Sequence, residues 1–242
     1  MYVPNYVPEP EVAPENVTLV RYRDRLSFIR HALYRFLGSV AIIVGVGVVS
    51  PIGFTLTQSI YLLICGVVFS SLTRTVLRNT PSESKVAVLT LLPLLMVYGI
   101  AGRNLSDAGW PVWSVAVGVG CFGIYGALCG RDFSFVGGFT LSLIVSSVII
   151  ALVVGYGLES HTKSIRALLI NLVGLFYIVY DLAALLSRRK VGESWAAVVD
   201  LLRDPLNIFG YVPRVVMHWN RHQILNDLSF ELPFRNDRNP AN

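Results

Sequence analysis

The chain is poor in charge. Asp, Glu, Lys and Arg make up only 14% of its 242 residues, against roughly 25% in a soluble domain, and the mean hydropathy is +0.60. This shortage excludes an ordinary soluble fold and points to a chain that buries itself in lipid. Cysteine is scarce too. Cys65, Cys121 and Cys129 are odd in number and all lie in apolar stretches, which argues against a disulfide framework or a zinc-ligand spacing and makes them small packing residues. No nucleophile elbow, HExxH or P-loop is spelled anywhere, so an enzyme is not expected. Residues 1–16 lack Lys and Arg and carry Pro4, Pro8, Pro10 and Pro14 with three glutamates, unlike a secretory leader or an Arg-rich transit peptide.

Apolar sequence runs from Ala32 to Leu186 with short interruptions. A bilayer core takes about 20 apolar residues per helical crossing, which fits six runs near Ala32–Val49, Phe54–Leu72, Val86–Ala101, Trp110–Leu128, Phe135–Tyr156 and Ile165–Leu186. Pro93 falls inside the third, where neighbouring helices must satisfy the carbonyl it frees. Between Trp195 and Trp219 the pattern changes. Asp200, Arg203, Asp204, Arg214 and His218 stand among Leu, Val and Ile, with Pro205 and Pro213. Three charges in five residues are too costly for a lipid-facing helix, so this segment is expected to be re-entrant or packed inside the bundle. The expected fold is an all-α integral membrane protein with six transmembrane helices around a seventh central or re-entrant segment. It divides into a Pro-rich tail (1–24), a transmembrane domain (25–219) and a polar C-terminal tail (220–242).

The formal charge of +5 and pI near 9.2 do not call for nucleic acid, because the basic residues flank the apolar runs. With the N-terminus placed inside, twelve Lys and Arg fall on inner segments and three, Arg103, Lys163 and Arg166, on outer loops. The positive-inside rule then puts both termini on the inner, cytosolic or matrix, side.

Ionisable residues at membrane depth are the best functional pointers, since burying one costs several kcal/mol unless it is paired or hydrated. Asp181 lies in the sixth run, seven residues before Arg188, and Asp200 and Asp204 are one helical turn apart in the seventh segment. Such carboxylates can bind a cation or exchange a proton, because two close acids raise one another's pKa. Alternatively, Arg203, Arg74 or Arg78 neutralises each acid in a structural network. Other patterns carry less. Gly118-Val-Gly120-Cys-Phe-Gly123 spells a dinucleotide fingerprint without the strand it needs, and with Gly126 and Gly130 it reads as a small-residue packing stripe. His218 and His222 have the spacing of a metal pair but no third ligand nearby, and Asn16-Val-Thr and Asn104-Leu-Ser spell glycosylation sequons.

Four stretches resemble the Bax inhibitor-1 (transmembrane Bax-inhibitor-motif) family. They are Ser27-Phe-Ile-Arg30 before the first run, Arg131-Asp-Phe-Ser-Phe-Val-Gly137 between the fourth and fifth, Leu175-Phe-Tyr-Ile-Val-Tyr-Asp181, and Arg203-Asp-Pro-Leu-Asn-Ile-Phe209. The resemblance covers about residues 25–215 and implies a pH-sensitive calcium leak whose latch is a carboxylate pair from helices six and seven engaged by an arginine. Asp181 and Asp204 match that pair, with calcium as the permeant ion at them, and Arg74 or Arg78 matches the arginine. The sequence departs at Leu182, where the family carries Thr, at Pro205, at Arg203 beside the second acid, and at Gly210-Tyr-Val-Pro213. The competing expectation is therefore a conduction-deficient accessory subunit that binds other membrane subunits through its two tails, in the mitochondrial inner membrane or an endomembrane. No resident cofactor is expected under either reading.

Overall fold

The computed structural model describes residues 15–50, 53–77, 83–130, 133–157 and 160–203, with the backbone alone at 67, 71, 74, 75, 77 and 83–88. Every regular element among them is helical. After a 3-10 turn (Val17–Leu19) come α1 (Tyr22–Val49), α2 (Leu56–Leu77), α3 (Glu83–Asp107), α4 (Trp113–Leu128), α5 (Phe135–Tyr156), α6 (His161–Arg188) and α7 (Ser194–Arg203). Four stretches, Tyr22–Val49, Leu89–Asp107, Phe135–Tyr156 and His161–Arg188, are long and apolar enough to cross a membrane, and Leu56–Ser70 and Trp113–Leu128 are shorter apolar helical stretches. Many large apolar side chains point outward, among them Val48, Tyr61, Leu89, Ile144, Val173 and Phe176. In water these exposed faces would favour association; in lipid they need no partner.

Helices α4, α5 and α6 pack on one another, α1 packs on α3 and α4, and α2 packs mainly on α3. Small residues set the close approaches. A Cβ on Gly99 would stand 2.6 Å from the Val46 Cβ and 2.8 Å from the Ile43 carbonyl oxygen, so α1 and α3 cross where only glycine fits. On α4 the packing face consists of Gly118 against Asn171, Gly123 against Leu37 and Gly126 against Leu33. The expected stripe is therefore real, but Gly120 has open space around it and Gly130 lies beyond the helix at φ +61°. A glycine in the left-handed region just past a helix end is the usual terminator. It also leaves carbonyls for Arg30, which donates from Nε to the Gly126 oxygen at 3.3 Å and from Nη2 to the Gly130 oxygen at 3.1 Å.

Two buried amide bonds tie helices across the interior, where interhelical polar contacts hold helices that lipid does not drive together. Asn104 donates to the Ser59 hydroxyl at 2.9 Å and Asn171 to the Ser146 hydroxyl at 2.8 Å. The first makes the Asn104 sequon a packing residue, 8% exposed within α3; Asn16 of the other sequon is 2% exposed. Helix α3 accommodates Pro93 without a break and runs on to Asp107, six residues past the apolar run. Helix α1 starts ten residues before its apolar run, because Leu26, Ile29, Leu33 and Phe36 form one buried stripe at helical spacing.

The segment α7 is the most enclosed element. Of its ten residues only Trp195 is not buried, and it touches α1, α3 and α6. Its charged residues thus sit within the protein, as the cost of facing them to lipid requires. Arg35 of α1 donates to the Ser194 hydroxyl, with its guanidinium 4.6 Å over the Trp195 ring, and the Tyr98 hydroxyl of α3 donates to the Leu202 carbonyl. The proposed latch residues Arg78 and Asp204, the pair His218 and His222, and the C-terminal tail lie outside the described residues. Arg74 lies on α2, but its side chain is outside them as well.

Candidate functional site

Two of the acids singled out in the sequence, Asp181 and Asp200, meet arginines at one end of the bundle. Helix α6 ends at Arg188, and Arg189 leaves it in extended conformation, φ −123° and ψ 151°. A tight reversal follows. The Lys190 N–H donates to the Glu193 carboxylate at 3.0 Å, and the Glu193 N–H donates to the Lys190 carbonyl at 3.0 Å. The reversal brings α7 back alongside Arg189, whose Nε and Nη2 donate to Asp200 Oδ2 at 2.8 and 2.6 Å. The other carboxylate oxygen of Asp200 faces Arg203 Nη2 at 3.3 Å, an i, i+3 pair on α7. Arg189 and Asp200 side chains are 6% and 2% exposed, so this is a charge cluster shut away from solvent.

Asp181 lies two helical turns before Arg188 on α6, and Arg188 Nη1 stands 3.8 Å from its Oδ1. That separation is an ion pair but too long for a hydrogen bond. Glu193 completes the group, 3.8 Å from Arg189 Nη1. Three guanidiniums and three carboxylates therefore balance at the α6–α7 turn.

The sequence pattern singles out Asp181, Asp200 and Arg203 and places Asp181 seven residues before Arg188, but it gives Arg188, Arg189 and Glu193 no role in the site. In sequence the two arginines read as topology signals, which is what a basic triplet after an apolar run ordinarily is. The available signal was the seven-residue spacing from Asp181 to Arg188, two turns on one helix face. Arg203, expected beside Asp204, engages Asp200 one turn back. Arg131 and Asp132 of the loop between α4 and α5 fall outside the described residues, while Phe133 packs against Phe122, Tyr125 and Phe135 and Ser134 caps α5.

Chemically, the cluster can present carboxylate oxygens to a cation once an arginine swings away. Among the described residues no three His, Cys, Asp or Glu gather as metal ligands. At the opposite end of α6 a cavity of about 80 Å³ is lined by Ser106, Gly109, Pro111, Trp113, Val154 and Lys163, and the Arg166 guanidinium stacks 5.2 Å over Trp110 nearby. Such aromatic and basic residues suit a headgroup boundary. Compared with known proteins, the chain has no significant match to any family model, curated protein or solved structure.

Proposed function

We propose that this chain is a multi-pass membrane protein with six crossings, both termini on the inner side and α7 inserted between the crossings. In this reading it acts as a pH-sensitive leak for calcium or protons, held closed by the cluster at the α6–α7 turn. The observation that carries the reading is the burial of Asp181 and Asp200, one from each of two successive helices, against arginines. A membrane protein bears the cost of burying such charge chiefly where ions or protons move. The resemblance to the Bax inhibitor-1 family expects carboxylates from these same two helices, with Asp204 as the second acid.

A carboxylate that takes a proton loses its charge-assisted hold on a guanidinium. Arg188 stands against Asp181, and Arg189 and Arg203 against Asp200, with Glu193 beside Arg189, so in this reading protonation of Asp181 leaves excess positive charge there and favours opening. In proteoliposomes, calcium flux is expected above background and severalfold higher near pH 5 than near pH 8, the lower pH approaching the ordinary carboxylate range of about 4. Asp181→Asn is expected to raise the flux at pH 8 and to flatten the pH response. Background flux in both proteins at every pH would reject conduction.

One observation favours a second reading. Both oxygens of Asp200 are held by arginines, which is how a purely structural charge network looks. A chain with that network and no flux would serve as an accessory subunit of a larger membrane complex, and its partners would be other membrane subunits.

A further inference from the structure

We propose that residues 15–20 form a strap that pins Arg189 in position and controls access of solvent to the buried charge cluster, a role that rests on reading the cluster as the working site. The composition of the N-terminal region predicts a polar tail through residue 24, yet Val17 is 0% exposed and Asn16 is 2% exposed. The Val17 N–H donates to the Arg189 carbonyl at 2.9 Å. The strap thus bonds to the backbone of the residue whose guanidinium holds Asp200. Lys190 Nζ, one residue on, meets the Glu15 carboxylate at 3.2 Å. From α1, Arg25 Nη2 donates to the Thr18 carbonyl at 2.5 Å.

The strap is also poised to leave. Its regular structure is a single 3-10 turn, capped by the Asn16 side chain accepting from the Thr18 N–H at 2.9 Å. A turn this short has no stability of its own. Its ion pair is solvent-exposed, with Glu15 84% exposed, and such pairs contribute little. Glu15 sits at φ +58°, a left-handed conformation that a residue with a Cβ adopts only at a cost. Val17 is the buried apolar side chain that, with the buried Asn16 and the backbone bond to Arg189, opposes strain and chain entropy. Losing it would free Arg189 to leave its extended conformation and draw its guanidinium off Asp200.

The test is hydrogen exchange on the full chain in phosphatidylcholine nanodiscs, read at the amides of Arg189, Glu193 and Ala197, which bond to Leu185, Lys190 and Glu193 carbonyls, and through α7. Val17→Asp is expected to raise exchange there at least tenfold and Val17→Ala severalfold, with α4 and α5 unchanged. Leu19→Asp adds the same charge in the same turn at a residue 73% exposed and is expected to change nothing. The proposal is overturned if Val17→Ala leaves these amides as protected as in the parent, or if exchange rises equally in α4 and α5. It is equally overturned if Leu19→Asp matches Val17→Asp. Calcium flux measured on the same variants in proteoliposomes separates the two ideas: local exchange raised without flux retains the strap and removes the leak.

Discussion

Replacing Arg189 by Met is expected to cost about 3–5 kcal/mol, the penalty of leaving a buried carboxylate without its partner. For a chain of this size that is a fall of roughly 10 °C in the unfolding midpoint, measured on purified protein in detergent. Arg203 would remain at 3.3 Å from Asp200, but the two short bonds from Arg189 would be gone. The backbone bond from Val17 to the Arg189 carbonyl is independent of the side chain, so the strap should survive. The same logic makes the triple variant Arg189→Met, Asp200→Leu, Arg203→Met close to neutral or even stabilising, because exchanging a whole buried ionic group for apolar side chains removes its desolvation cost. If the cluster is only structural, this triple variant keeps every property of the parent. If it is the latch, the triple variant folds and its response to pH is reduced to what the remaining pair of Asp181 and Arg188 supplies. A midpoint unchanged by Arg189→Met would mean that Asp200 is not held as described.

The second large effect is expected at Gly118. A Cβ there would lie 2.2 Å from Asn171 Oδ1 and 3.5 Å from the Leu175 Cβ, and Asn171 is fully buried. Among the described residues Asn171 Oδ1 has no hydrogen-bond partner, and it lies in the space that a Cβ at Gly118 would take. Gly118→Leu must push Asn171 aside, overpack the α4–α6 interface and break the 2.8 Å bond to Ser146. Overpacking costs about 1–3 kcal/mol and the lost buried bond about 1 more, and the sum should appear as a midpoint lowered by roughly 5–10 °C. Gly120→Leu, two residues away with nothing within 4 Å of its Cβ position, is the control and should leave the midpoint within a degree or two. Equal effects at the two glycines would show that α4 does not present the face described.

These two sites illustrate what the sequence made legible. Hydropathy alone marks the apolar core of each long helix, since lipid selects composition before packing selects detail. It also marks α7, because Asp200 and Arg203 at helical spacing have no acceptable place in lipid. What it does not carry is direction. Arg188 and Arg189 look like topology signals in a list of residues, and only the Lys190–Glu193 reversal aims one of them at α7. The early start of α1 was hidden because Arg23, Arg25 and Arg30 interrupt the apolar pattern, although Leu26, Ile29 and Leu33 keep the helical period. The GxGxxG spelling shows that glycines are present but not which meet a neighbour, and Gly118 and Gly120 differ entirely in that respect. Asn104 looks like a surface sequon until its helix places it against Ser59.

In the proposed leak reading, Asp181 takes up a proton and thereby loosens its hold on Arg188. Difference infrared spectroscopy of the reconstituted protein between about pH 8 and pH 5 tests it most directly, because the carbonyl band of a protonated carboxylic acid appears only when such a group binds its proton. A band that grows as the pH falls and is diminished in Asp181→Asn is expected. A parent spectrum indistinguishable from that of Asp181→Asn over the whole range, with Arg189→Met adding no new band, would contradict it: the acids would then be permanently ionised struts, and the cluster a fixed part of the scaffold.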